Sequence, residues 1–155
     1  MQKSIPVQIE WQLDGYIVST DPTRMDRAVI HRYLSQDSYW AANIPREIVE
    51  RSLDHSLCFG LFHADEGMVG FARVVSDYAT FANLMDVFIL PPQRGLGLSK
   101  WLLTCVFNHP DLQNLRSWTL KTRDAHGLYQ QFGFHLAKHP EKIMEKIQAN
   151  PYGQV

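Results

Sequence analysis

Asp86-Val87-Phe88-Ile89-Leu90-Pro91-Pro92-Gln93-Arg94-Gly95-Leu96-Gly97-Leu98-Ser99-Lys100 is the stretch that decides the fold. Residues 80–90 are nearly all apolar, the composition of a strand covered on both faces, so this run belongs inside a sheet. Pro91 and Pro92 end it, because neither can donate to a β-ladder. After two glycines, Leu98, Trp101, Leu102, Cys105 and Val106 recur at the spacing of one helical face. Glycines adopt positive φ and let a ligand approach the backbone. The first-turn amides of a helix are unpaired and lie at the positive end of its dipole. The segment therefore reads as a phosphate cradle, to which Arg94 and Lys100 can add charge. The same residues also fit a plain strand-to-helix turn that uses glycine.

Upstream, residues 57–62 and 68–75 are apolar runs flanking Asp65-Glu66-Gly67, a hairpin signal. Tyr16-Ile17-Val18-Ser19-Thr20 is a β-prone opening. Asp21 offers an N-cap and Pro22 a first helical position, with Met25, Ala28, Val29 and Tyr33 inward. Residues 35–40 read as a loop. Pro45 opens a second helix with Ile48, Val49 and Leu53 inward. Downstream, His109-Pro110 stops the long helix and residues 117–121 form a strand. Asp124 caps a short helix that buries Ala125, Leu128, Tyr129 and Phe132 and ends at Gly133. A last strand at 134–137 and a helix from 140 to about 148 complete a mixed α/β (α+β) order.

At 155 residues, with no repeat or linker, residues 1–155 read as one domain. Lys and Arg total 15 against 16 Asp and Glu, a net charge of −1 that argues against indiscriminate nucleic-acid or anionic-membrane binding. No run approaches the ~20 apolar residues of a membrane span, and the first residues lack a signal peptide's apolar core, so a cytoplasmic location is expected. Cys58 and Cys105 lie in apolar runs and read as buried thiols. Seven scattered histidines have no metal-ligand spacing, so no metal is expected. Within Leu84-Met85-Asp86-Val87-Phe88, a carboxylate is costly without a purpose or a partner. By alternation, Asp86 should face the same side as Leu84, Phe88 and Leu90. It is a candidate general base or acceptor-binding anion, and equally a carboxylate satisfied by a neighbouring strand.

The loop fits neither nucleotide fingerprint: the P-loop spacing is wrong, and the third glycine of G-x-G-x-x-G is missing. Residues 94–99 instead resemble the pyrophosphate loop, Q/R-x-x-G-x-G/A, of the GNAT family of acyl-CoA-dependent N-acyltransferases, with Ser99 where Gly or Ala is usual. Leu128-Tyr129-Gln130-Gln131-Phe132-Gly133-Phe134 resembles that family's L-Y-x-x-x-G-F. The two motifs stand in the family's order with one strand between them. The element order over residues 16–138 is similar too, and a bacterial subgroup of the family looks most alike.

The resemblance implies a central mixed sheet of 6–7 strands flanked by 4–5 helices, its N-terminal strands antiparallel. It implies a splayed parallel pair, ending near Leu90 and Thr122, that opens as a V for acetyl-CoA, with no metal. Main-chain groups of Val87, Phe88 and Ile89 would then meet the pantetheine arm. The amides of Arg94, Gly95, Leu96, Gly97, Leu98, Ser99 and Lys100 would hold the pyrophosphate. Tyr129 would be the general acid for the leaving thiolate, and His126 is a second candidate base after Asp86. The acceptor is expected to be an amine of a small molecule or peptide, attacking directly. His31, Tyr39, Trp40, Arg46 and Arg73 are the substrate-side candidates, although Tyr39-Trp40 also reads as a staple for the second helix and Arg46 as part of a solvated face. A homodimer through a strand edge or the C-terminal helix is a further expectation. The alternative is a non-catalytic acyl-CoA-binding or sensing module.

Overall fold

The computed structural model describes residues 5–153. Among them, six strands form one sheet in chain order: β1 (Glu10–Leu13), β2 (Tyr16–Ser19), β3 (Leu57–His63), β4 (Gly67–Ser76), β5 (Phe81–Ile89) and β6 (Ser117–Leu120). Neighbours are antiparallel from β1 to β5, and β5 pairs with β6 in parallel. Helices α1 (Arg27–Arg32) and α2 (Arg46–Asp54) cover one face, and α3 (Leu98–Phe107) and α4 (His126–Gln130) cover the other. The mixed α/β expectation holds.

Period-two alternation divides the core between the two faces. Phe59, Ala72 and Val74 pack with Leu102, Leu103 and Val106 of α3. Cys58 and Phe71, their neighbours along the strands, pack with Ile30 of α1 and with Val49 and Leu53 of α2. Of the predicted apolar face of α3, Leu98, Leu102, Cys105 and Val106 are buried, with Leu103 added and Trp101 half-buried.

Several expectations need correction. β1 was not foreseen; its readable signal was Asp14-Gly15, a two-residue hairpin turn with both residues at positive φ. Asp21 caps only a single 3₁₀ turn, and the helix proper starts after Asp26, whose carboxylate accepts from the Val29 amide at 3.0 Å. Its buried face therefore shifts to Ile30, leaving Ala28 exposed. Residues 35–37, expected as the start of a loop, belong to a wide helical turn over Tyr33–Asp37 in which the Ser38 amide reaches back to the Tyr33 carbonyl at 2.9 Å. Thr122, not Asp124, tethers the start of α4, accepting from the Ala125 amide at 3.0 Å.

The strand expected at 134–137 is absent: Phe134 packs on Phe107 and Tyr129, while Leu136 is 77% exposed and no strand among the described residues pairs with the segment. The helix expected from residue 140 is only a turn, Pro140–Lys142. Ile143, Met144 and Ile147 point to solvent, so the apolar face that would stabilise a short helix has nothing to pack against. It therefore offers no helical interface to a second copy.

A one-residue slip in register between β4 and β5 positions everything that follows. Phe71 pairs with Phe88 but Arg73 pairs with Met85, so Asp86 and Val87 together oppose Ala72. Asp86 takes up φ 53° there. This bulge overturns the expected common side: Leu84 joins the α3–α4 core, whereas Phe88 and Leu90 pack with α1 and α2.

Phe71→Ala should lose about 3–5 kcal/mol, read as a lowered urea midpoint at unchanged m-value. Met144→Ser, on the exposed tail, should stay within about 0.5 kcal/mol of the parent.

Candidate active site

β5 and β6 pair only from Phe81↔Ser117 to Leu84↔Leu120. Beyond Leu84 the strands part, β5 running on to Ile89 while the chain after β6 turns through residues 121–125 into α4. The gap is an opening of about 530 Å³ at the carboxyl ends of the two parallel strands, the usual position for a ligand in such sheets. Its walls include Tyr39, Trp40, Asp86, Val87, Arg123 and Tyr129.

Asp86 sits at the bulge with both carboxylate oxygens engaged. The Arg73 Nε donates to one at 2.7 Å and the Trp40 indole to the other at 2.9 Å. The ion pair is nearly shielded from water, its side chains 11% and 8% exposed. Arg73 also donates to Ser56 Oγ at 3.1 Å. Asp86 is thus both paired with Arg73 and a wall residue of the opening.

Tyr39 bridges to the far wall: its hydroxyl accepts from the Arg123 amide at 3.0 Å, and the Arg123 guanidinium lies 3.9 Å from its ring centre. Trp40 meets Tyr39 edge-on at 5.1 Å. The pair thus spans the opening rather than stapling α2. His31 and Arg46 lie elsewhere: the His31 Nε2 is 3.0 Å from the Ile44 carbonyl, and Arg46 pairs with Glu50 at 2.9 Å on the exposed face of α2. His126 is exposed and does not line the opening.

Tyr129 reaches the opening from α4, and its hydroxyl has no hydrogen-bond partner among the described residues. Burial, with a smaller effect from Tyr39, pushes its phenol up to about 12. It is a neutral donor throughout the physiological range. The thiols of Cys58 and Cys105 are also pushed up to about 12 by burial, which leaves them protonated and inert. Among the described residues no cluster of acidic, histidine or cysteine side chains could hold a metal, and no helix is long and apolar enough to cross a membrane.

The glycine loop is built as a cradle. Gly95 and Gly97 hold φ 80° and 77°, and a Cβ added to either would meet nothing within 4 Å. No acceptor among the described residues takes the amides of Gly95, Leu96, Gly97, Leu98, Ser99 or Lys100; the first helical bond is Trp101 to Gly97 at 3.2 Å. Open amides with no side chain above them fit a diphosphate. Arg94, expected to add charge, is exposed, and its guanidinium donates to the Ile89 carbonyl at 2.9 Å and the Tyr33 hydroxyl at 3.0 Å.

Sequence reasoning missed Gln93, which anchors the loop from the other side. It accepts from the Tyr16 hydroxyl at 2.5 Å and donates to Glu66 at 2.6 Å. It also missed Lys121 and Arg123, whose place directly after a parallel strand was the available signal.

A family model described as an acetyltransferase (GNAT) domain matches residues 55–136, more than half the chain and inclusive of both the loop and Tyr129. A solved Xanthomonas campestris pv. campestris protein assigned to the GNAT family is 50% identical with a TM-score of 0.88, over 92% of this chain and 100% of its own. A Gibberella zeae protein named as a candidate acetyltransferase is 32% identical over 111 residues, 60% of this chain, which spans only 63% of that relative. A Clostridium acetobutylicum protein described as a predicted acetyltransferase, solved with acetyl-CoA, shares the fold at TM-score 0.63 and 13% identity, over 85% and 94% of the two chains.

Two measurements test these interactions. Arg73→Ala and Asp86→Ala should each cost about 3–5 kcal/mol, because each strands a buried charge. The double variant should lose clearly less than the sum in a double-mutant cycle. Alkaline titration tests burial. Cys58, Cys105 and Tyr129 keep their protons more tightly folded than unfolded, so the stability they contribute is complete below pH 9.0. It should be lost as pH rises from 9.0 toward about 12, seen as a falling thermal midpoint.

Proposed function

The chain belongs to the GNAT acetyltransferase family, and from that premise we propose that it moves the acetyl group of acetyl-CoA to a primary amine of a small molecule or peptide by direct attack. The observation that carries this reading is the row of unpartnered amides from Gly95 to Lys100 beside a cleft that Tyr129 lines. When bound, acetyl-CoA supplies an acyl group activated as a thioester.

In this reading the amides of Gly95, Leu96, Gly97, Leu98, Ser99 and Lys100 hold the pyrophosphate, helped by the Lys100 charge. The Leu90 amide donates to Val69 of β4 at 2.8 Å, so strand alternation turns the main chain of Ile89 and Val87 toward the cleft. Arg94 already occupies the Ile89 carbonyl, which leaves Val87 as the free strand edge for the pantetheine arm. Tyr129 keeps a proton ready for the departing sulfur. The acceptor ammonium must lose a proton before attack. With both Asp86 oxygens engaged, that proton passes to water in the cleft, and Asp86 serves the acceptor site as a fixed wall.

The engaged Asp86 also favours a second reading, a module that binds acyl-CoA without turning it over. Thiol release from acetyl-CoA with a panel of amines separates the two. Under the first reading Tyr129→Phe should lower kcat by about 10²–10⁴-fold while acetyl-CoA affinity is unchanged. Undiminished turnover would remove Tyr129 as the acid. Gly97→Leu forces a side chain into the left-handed region at a cost of about 1–2 kcal/mol and covers the amides. It should abolish the thermal stabilisation that acetyl-CoA gives the parent, about 2.7 kcal/mol at a hundredfold excess over Kd.

A further inference from the structure

Between Gln93 and Leu98 the chain makes an arch of exposed residues, Arg94 to Gly97, and its two posts are held in different ways. Leu98 is seated by apolar contact with the core beneath α3. Gln93 is 7% exposed, and its seat is polar. A carboxylate only accepts, so Nε2 of Gln93 is the atom that faces Glu66, at 2.6 Å. That leaves Oε1 for the Tyr16 hydroxyl, which donates at 2.5 Å. The Tyr16 ring is itself backed by His63, with ring centres 4.9 Å apart.

Apolar contact fixes where a side chain lies. Two directional bonds at opposite ends of one amide also fix how it is turned. The partners of Gln93 stand on separate elements, β2 and the β3–β4 turn, so the foot of the arch is tied to the antiparallel half of the sheet. Its main chain carries that orientation onward. The Gln93 amide donates to the Leu90 carbonyl at 2.9 Å and the Arg94 amide to the Pro91 carbonyl at 3.2 Å, closing the turn that feeds Gly95.

The choice of Glu66 as a partner runs against the charge of the ligand. Glu66 is exposed, and no basic side chain among the described residues pairs with it. By Coulomb's law a carboxylate at the foot of this loop weakens the binding of an anion. What offsets that cost is the buried amide it holds, which would otherwise keep an unsatisfied donor and turn freely. Open amides meet phosphate oxygens only within a narrow range of distance and angle, so a small rotation of the post is felt along the arch.

We propose that Gln93, clamped between Tyr16 and Glu66, is a positioning residue that sets the glycine loop for the diphosphate of acetyl-CoA. This rests on the acyl-CoA reading above, in either its transfer or its binding form. The test is calorimetric titration of the full chain with acetyl-CoA, for the parent and four variants. Glu66→Gln removes the charge but keeps an acceptor, whereas Glu66→Ala removes both. Loss of the charge alone should tighten binding. Expected instead is a Kd about three- to tenfold higher in Glu66→Ala, with Glu66→Gln binding at least as tightly as the parent. Tyr16→Phe keeps the ring on His63 and should also weaken binding about three- to tenfold, and Gln93→Met, similar in size but without the amide, about tenfold or more. Unchanged or tighter binding by Glu66→Ala overturns the proposal, and so does Glu66→Gln binding as weakly as Glu66→Ala. Parent affinity in Tyr16→Phe or Gln93→Met overturns it as well. Should Gln93→Met fail to fold, the Glu66 variants, on an exposed turn, decide the matter alone. If the parent itself does not bind acetyl-CoA, the acyl-CoA reading fails and this inference falls with it.

Discussion

An extra residue at Asp86 bends β5 where its partner β6 ends, and the buried Arg73 guanidinium holds that bend in place. Without the bulge, β5 would continue straight, and Val87 and Ile89 would fall on the other face of the sheet. With it, Phe88 turns under α1, stacked on Tyr33 at 3.9 Å, while Val87 and Ile89 stay with the α3–α4 core. A carboxylate in this position is tolerable only because it is paired, since an isolated buried charge would outweigh several good apolar contacts. The cleft is thus defined by a polar interaction within an otherwise apolar strand.

The same division of labour governs the loop that follows. Gln93 is buried and ties the loop to β2 and the β3–β4 turn, while the exposed Arg94 braces it against the Ile89 carbonyl and Tyr33. Side chains fix the loop, and its main-chain amides stay open. A chain of net charge −1 can therefore still carry a local positive field, because fixed amide dipoles supply it and few basic residues are needed.

Much of this was legible in the residues. The apolar run into Gly95 and Gly97, the strict face of α3, and the position of Tyr129 before Gly133 each follow from spacing and steric rules, and the structure has all of them. The bulge was not legible, because a period-two pattern carries no mark of a one-residue slip, and the slip reverses the side assigned to every residue on one flank of it. Arg94 next to two glycines looks the same in sequence whether its guanidinium faces a phosphate or a carbonyl. The C-terminal apolar residues Ile143, Met144 and Ile147 have helical spacing, but helix formation there needed a surface to cover, and the sheet ends at β6. Asp14-Gly15 was a signal present and passed over.

The tail from residue 138 to residue 153 adds nothing to the sheet ladder, yet it borders the mouth of the cleft. Apart from Tyr152, which packs on the α1–α2 core, its residues are mostly exposed, and exposed segments outside the ladder are where sequence can drift most cheaply. The donor half, tied into Arg73, Gln93 and the register of β5, has no such freedom. A lineage carrying this architecture can therefore rewrite the stretch that borders the cleft's mouth, roughly the reach of one surface loop, while the β5 bulge and the glycine loop stay intact.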